Sequence, residues 1–304
     1  MKPLKDILNE SLLNKSLLNE SLLDDENELF DRNDKTLIEL WIKENYKIYG
    51  ALKIHEDKHG FVVDSNDKIE VTNKNIKSLT NGMFRWGEIT GGFNCEKCKK
   101  LTSLEGAPKK CDWFICSNCT GLMTLEGVPK KCDNFYCFEC TGLRSLEGAP
   151  NECYSFYCSN CTELRSLEGS PNECEDFNCF GCTELMTLEG APSKCIWLNC
   201  SGCTELISLK GAPNKCDWLN CSECTELRTL EGAPNKCIYF NCAKCTELRS
   251  LKGAPNKCWG CFNCSECTGL RSLEGAPVGT TIKCSDCTNL IITDDDHKKY
   301  KISL

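Results

Sequence analysis

Between Cys95 and Cys287 one 21-residue sentence is written about ten times, with Cys216, Cys221 and Cys224 returning as Cys237, Cys242 and Cys245. A fixed period of this length confines the fold. A unit of about 20 residues cannot bury its own apolar side chains, so it must stack on its neighbours as a solenoid. Aligned, the copies read Cys-x-x-Φ-x-Cys-x-x-Cys-Thr-x-Leu-x-(Ser/Thr)-Leu-x-Gly-Ala-Pro-x-x, where Φ is Phe114, Phe135, Phe156, Phe177, Leu198, Leu219 or Phe240. Gly frees one backbone angle and Pro fixes the next, which leaves no room for a helix opposite the strand and predicts turns or extended chain there.

Reduced to its apolar positions, the sentence becomes L-x-x-L-x-L-x-x-C-x-x-L-x-x-L, with cysteine at the first and third apolar places. This pattern resembles the leucine-rich repeat in its cysteine-containing form, over roughly two thirds of the chain. The resemblance implies a solenoid with a parallel β-sheet on its concave face. The first, fourth, sixth and ninth positions then point inward, and Cys200, Cys221 and Cys242 stack about 4.8 Å apart, the spacing of adjacent strands.

Four segments follow along the chain. Residues 1–34 form an acidic leader with a five-residue repeat, Ser11-Leu-Leu-Asn-Lys15 and its copies, whose leucine pairs fall all round a helix and predict a disordered tail. Residues 35–67 read as an N-terminal helix and hairpin cap: Thr36 and Glu39 form a capping box, Leu37, Leu40, Trp41 and Glu44 share helical spacing, and strand-like runs cover 46–54 and 60–63. Residues 68–290 are the solenoid, opening with a divergent, cysteine-free coil at Ile69, Val71, Ile76 and Leu79. Residues 291–304 depart from the pattern and are expected to cap the last coil with Tyr300 and Ile302. Near that end the register slips: Cys258 to Cys264 is one residue longer than its counterparts, with Cys261 as an extra thiol. About eleven coils at strand spacing make a rod about 50 Å long.

The formal charge is -8 with both signs interleaved, so no basic stripe is available for a phosphate backbone, and nucleic acid is excluded as an expected partner. No apolar run is long enough to span a membrane, and the opening residues are too polar for a signal-peptide core, which predicts a cytoplasmic protein. The 29 cysteines allow three readings. Free cysteine packs as a small hydrophobe, giving a buried thiol ladder. The Cys-x-x-Cys pairs also match metal-ligand spacing, but a solenoid sets them in parallel rows and burial opposes the thiolate, so no metal or other cofactor is expected. Disulfides between coils are the third reading. His55 and His59 lie in the hairpin and are not expected to hold a metal.

Residues flanking Φ alternate with the buried ones and face out. The position before Φ carries Trp113, Asn134, Ser155, Asp176, Trp197, Trp218 and Tyr239. The position after it carries Asn94, Ile115, Tyr136, Tyr157, Asn178, Asn199, Asn220, Asn241 and Asn263. Exposed aromatics in a row commonly mark a binding surface, so Trp113, Tyr136, Tyr157, Trp197, Trp218 and Tyr239, with Asn199, Asn220 and Asn241, are the expected contacts for a protein partner. The asparagines can equally bond to one another as a ladder. Arg144, Arg165, Arg228, Arg249 and Arg271 are expected beside Glu147, Glu168, Glu231 and Glu274 as a self-paired surface. With three histidines, all outside the repeat, and every cysteine a copy, no catalytic residue can be named and no enzyme is expected.

The opening Met1-Lys-Pro-Leu-Lys-Asp-Ile-Leu-Asn-Glu10 is similar to the capsid-targeting peptides of internal head proteins in T-even-like tailed bacteriophages. There an apolar-x-Glu motif directs cleavage after Glu, and Leu8-Asn9-Glu10 and Leu18-Asn19-Glu20 both fit, so the resemblance implies processing at Glu10 and Glu20. The whole layout also resembles leucine-rich repeat proteins of tailed phages from gut bacteria. These resemblances imply a phage-encoded, non-catalytic binding module, in the host cytoplasm or carried in a virion. Two alternatives stand beside it: a thiol-rich metal or redox protein, and a structural or packaged virion component.

Overall fold

The computed structural model describes residues 35–304; the leader, with Glu10 and Glu20, lies outside the described residues. The fold is a β-solenoid with little helix. Helix α1 (Lys35–Asn45) leads into β1 (Tyr46–Ile48), the hairpin β2 (Leu52–Asp57) and β3 (Gly60–Ser65), then β4 (Ile69–Val71), β5 (Arg85–Ile89) and β6 (Gly92–Asn94). Each repeat contributes one short strand: β7 (Trp113–Ile115), β8 (Asn134–Tyr136), β9 (Ser155–Tyr157), β10 (Asp176–Asn178), β11 (Trp197–Asn199), β12 (Trp218–Asn220), β13 (Lys236–Asn241), β14 (Lys257–Asn263) and β15 (Thr281–Lys283). Helix α2 (Asp294–Lys299) and β16 (Lys301–Ser303) end the chain.

Thirteen strands make the main sheet, and all but the antiparallel edge strand β1 run parallel, so twelve coils stack. Register is held residue for residue along most of the solenoid, where Phe177 faces Leu198 and Leu198 faces Leu219, and it shifts between β13 and β14, where Cys237 faces Cys258 but Tyr239 faces Cys261. The segment 291–304 does more than cover the last coil. It adds a coil of its own, with β16 parallel to β15 and Ile302 facing Ile282, while a capping box at Thr293 and Asp296 starts α2. Eleven inter-strand steps at about 4.8 Å give a stack about 53 Å long.

The inner face is a set of ladders. Phe93, Phe114, Phe135, Phe156 and Phe177 stack with centroids 5.2 to 5.6 Å apart, Leu198 and Leu219 continue the column, and Phe240 and Phe262 resume it at 5.1 Å. Opposite them run the paired leucines, such as Leu206 and Leu209, fully buried in every coil from Leu101 to Leu273.

At the N-terminal end two details differ from the sequence reading. The buried stripe of helix α1 is Ile38, Ile42 and Asn45, one step round from Leu37, Leu40 and Trp41. The run 46–54 is broken at Gly50 because β1 joins the main sheet, whereas β2 joins β3 and β5 in a separate three-stranded sheet. Tyr46, whose hydroxyl donates to the Leu79 carbonyl, and Trp86 pack edge to face and join these pieces to the Phe93 column.

Candidate functional site: the outward face of the sheet

The turn after each strand fixes which side chains face out. In Cys-x-x-Cys the residue before the second cysteine takes a left-handed conformation, at Asn118 (φ 59), Glu139 (φ 54) and Glu223 (φ 61), with Gly181 and Gly202 where glycine meets the requirement outright. The closing thiol then donates to the carbonyl of the cysteine that opens the same turn one coil earlier. Cys119 bonds Cys95 (3.1 Å), Cys224 bonds Cys200 (3.2 Å) and Cys267 bonds Cys242 (3.0 Å). The spacing that matches a metal knuckle is thus built as an inter-coil hydrogen bond made by a side chain small enough for the core.

The described cysteines are free thiols. Burial pushes Cys116, Cys137 and Cys221 well above the ordinary thiol range, and hydrogen bonding to the next thiol adds to it. Among the described residues no three His, Cys, Asp or Glu side chains are grouped to hold a metal ion. His55 faces Asp64 at 3.4 Å, whereas the His59 backbone N–H donates to Asp57, so the two histidines do not converge.

On the outward face the aromatic residues form two patches. Trp197 and Trp218 lie face to face at 4.5 Å and 11°, and Tyr239 follows at 5.3 Å. In the other column Tyr136 and Tyr157 stack at 5.4 Å, joined by Phe138, which lies 5.8 Å from Tyr157. Trp113 stands apart, its ring lying over Gly92, where a Cβ would sit 1.8 Å from the indole. Phe138 escaped the sequence reading although it carried a signal: it occupies the place after the second cysteine where Ser117, Ser159, Ser201 and Ser222 stand in other coils. Asp176 lies at the junction of the patches. The Tyr157 hydroxyl donates to it from one coil, and Trp197 is its register partner in the next. Burial, reinforced by that bond, pushes the Tyr157 phenol up to about 12, so it stays a donor.

The asparagine row does not form the ladder that stood as one of its two readings. Its Oδ1 atoms accept the backbone N–H two residues on: Asn199 from Ser201 (3.1 Å), Asn220 from Ser222 (3.2 Å) and Asn241 from Ala243 (3.1 Å). Each asparagine turns the chain out of its strand, and among the described residues no hydrogen bond links one asparagine of this row to the next. The arginines also choose other partners. Arg144 and Arg165 pair with Glu163 (3.8 Å) and Glu184 (2.7 Å) of the following coil, Arg228 pairs with Glu226, and Glu274 goes to Lys252. The reason is geometry: the Thr-Glu position lies beside the arginine on the same flank, whereas Glu147 and its copies stand past the second leucine.

A further set of apolar groups is exposed one residue after the first cysteine, at Tyr154, Ile196, Ile238 and Trp259, the last 64% exposed; Ile238 and Trp259 lie at the entry to β13 and β14. No family model, curated protein or solved structure matches this chain.

Proposed function

We propose that this protein is a non-catalytic, leucine-rich repeat binding module that grips a protein partner through the outward, concave face of its sheet. The observation that carries the reading is the Trp197–Trp218–Tyr239 stack. Its inner neighbours Leu198, Leu219 and Phe240 are fully packed, yet Trp197 is 48% exposed. Beyond its stack on Trp218 about half of this indole is left uncovered, and tryptophan and tyrosine commonly dominate interface energetics. In this reading Tyr136, Tyr157 and Trp113 extend the surface, Asn199, Asn220 and Asn241 border it, and helix α1 with the β2–β3 hairpin caps the array.

The leader supplies the address in the same reading. Its resemblance to a capsid-targeting peptide supports a phage-encoded protein made in the host cytoplasm and carried in a head after cleavage at Glu10 or Glu20. Mass spectrometry of the native N-terminus checks this, since a mature chain starting at Ser11 or Ser21 is expected and an uncut leader on particle-borne protein would contradict it.

Binding is tested by affinity capture from source cells with the full chain, comparing it with Trp197→Ala/Trp218→Ala. Truncating two clustered hot-spot residues is expected to weaken capture about 100-fold or more. Unchanged capture by a double variant that still melts cooperatively would overturn the reading.

A further inference from the structure

The outward face is almost without charge. Along β6 to β15 the two residues flanking the buried position of each strand include one carboxylate, Asp176, and one cation, Lys283, at the far end in β15. The carboxylate stands where the two aromatic patches meet. Its Oδ2 accepts from the Tyr157 hydroxyl, whose ring packs against both Tyr136 and Phe138 of the preceding coil, while Oδ1 accepts no hydrogen bond among the described residues.

On the other side of Asp176 is Trp197. One indole face is covered by Trp218, which has Tyr239 behind it. Toward Asp176 the column holds no ring: its next members are Asp176 and the buried Ser155. The difference shows in exposure, with Trp197 exposed at 48% and Trp218, which has a ring on each side, only half-buried. Trp197 thus offers an open indole face beside a tethered carboxylate on the neighbouring coil. Both groups attract the same kind of guest: a cation gains from the ring quadrupole and from the carboxylate together.

We propose that this indole face, with Asp176 at its side, receives an arginine side chain of the protein partner, an inference that rests on the reading of this face as the binding surface. Arginine fits better than lysine because its planar guanidinium can lie flat on the indole while its N–H fork meets the carboxylate.

The test uses the full chain with its six tryptophans labelled with 15N at the indole, titrated with N-acetyl-L-argininamide and, separately, with the neutral isostere N-acetyl-L-citrullinamide. The Trp197 indole resonance is expected to shift saturably with the arginine probe, while Trp113 and Trp259 stay in place. Citrulline in place of arginine, or Asp176→Asn, is expected to weaken the shift about fivefold or more. Asp176→Asn keeps the side-chain shape and an acceptor for Tyr157, so the result does not depend on a variant that fails to fold. Equal shifts with both probes, a response spread over all the tryptophans, or no effect of Asp176→Asn would overturn the proposal. Loss of partner capture in Trp197→Ala/Trp218→Ala with no arginine response would leave the surface standing and remove the cation site. Arginine binding with capture intact in that double variant would do the reverse.

Discussion

The residue that sets the character of this protein is cysteine, used here for size and for a weak donor. Cys224 illustrates both uses: its side chain is fully buried and its thiol donates to the Cys200 carbonyl at 3.2 Å. Cys224→Ala removes a sulfur from a packed core and leaves that carbonyl short of a partner, with an expected loss of about 1 to 2 kcal/mol in chemical denaturation. One thiol departs from the rule. Cys258 is held down to about 7, first by its hydrogen bond with Cys237 and then, against the opposing effect of burial, by the Gly260 and Phe240 N–H groups. Its folded value lies below the ordinary thiol value, so its contribution to stability is present at alkaline pH and is lost as pH falls through about 7. Mapped by mass spectrometry, iodoacetamide labelling of Cys258 should rise through neutral pH while Cys111, pushed up to about 12 by burial, stays unlabelled. Labelling of Cys258 and Cys111 at the same rate would contradict this.

At the scale of the single coil, the repeat letters that look like decoration are turn chemistry. The Ser/Thr before the second leucine accepts the backbone N–H two residues on, as Ser166 does from Glu168 (3.0 Å) and Thr229 from Glu231 (3.2 Å). The glycine that follows is required twice over. Gly190 has φ +89, and a Cβ there would sit 2.5 Å from the Glu168 nitrogen of the preceding coil. Gly190→Ala is therefore expected to cost about 2 kcal/mol or more, seen as a lowered melting temperature. Much of the coil was legible in the sequence, because a strict period carries the inward or outward sense of one residue to all its copies. Phe156, Cys158 and Leu164 are buried where that period puts them. Illegible were choices between bonds of similar merit, such as Asn220 capping its own turn instead of bonding Asn241, and the stripe of α1, where no repeat averages out a one-residue error. Asp176 could be placed in its column but not joined to Tyr157, since that contact crosses between coils.

At the scale of the whole molecule, stability belongs to the interfaces between coils, so damage in the middle should matter more than damage at an end. Phe156 touches Phe135 on one side and Phe177 on the other. Phe156→Ala should cost about 3 to 5 kcal/mol in denaturant, and Ile302→Ala, in the half-buried last coil, markedly less. The same stacking turns short strands into one broad face, with the aromatic patches beside the buried position of each strand and Tyr154 and Trp259 at the end where the chain enters the strands. The most direct measurement is hydroxyl-radical footprinting of the full chain with and without its captured partner. Protection of Trp197, Trp218 and Tyr239 with unchanged oxidation of Tyr154 and Trp259 is the expected result. Protection of Tyr154 and Trp259 with the strip still fully oxidised would contradict the assignment of the sheet face as the binding surface.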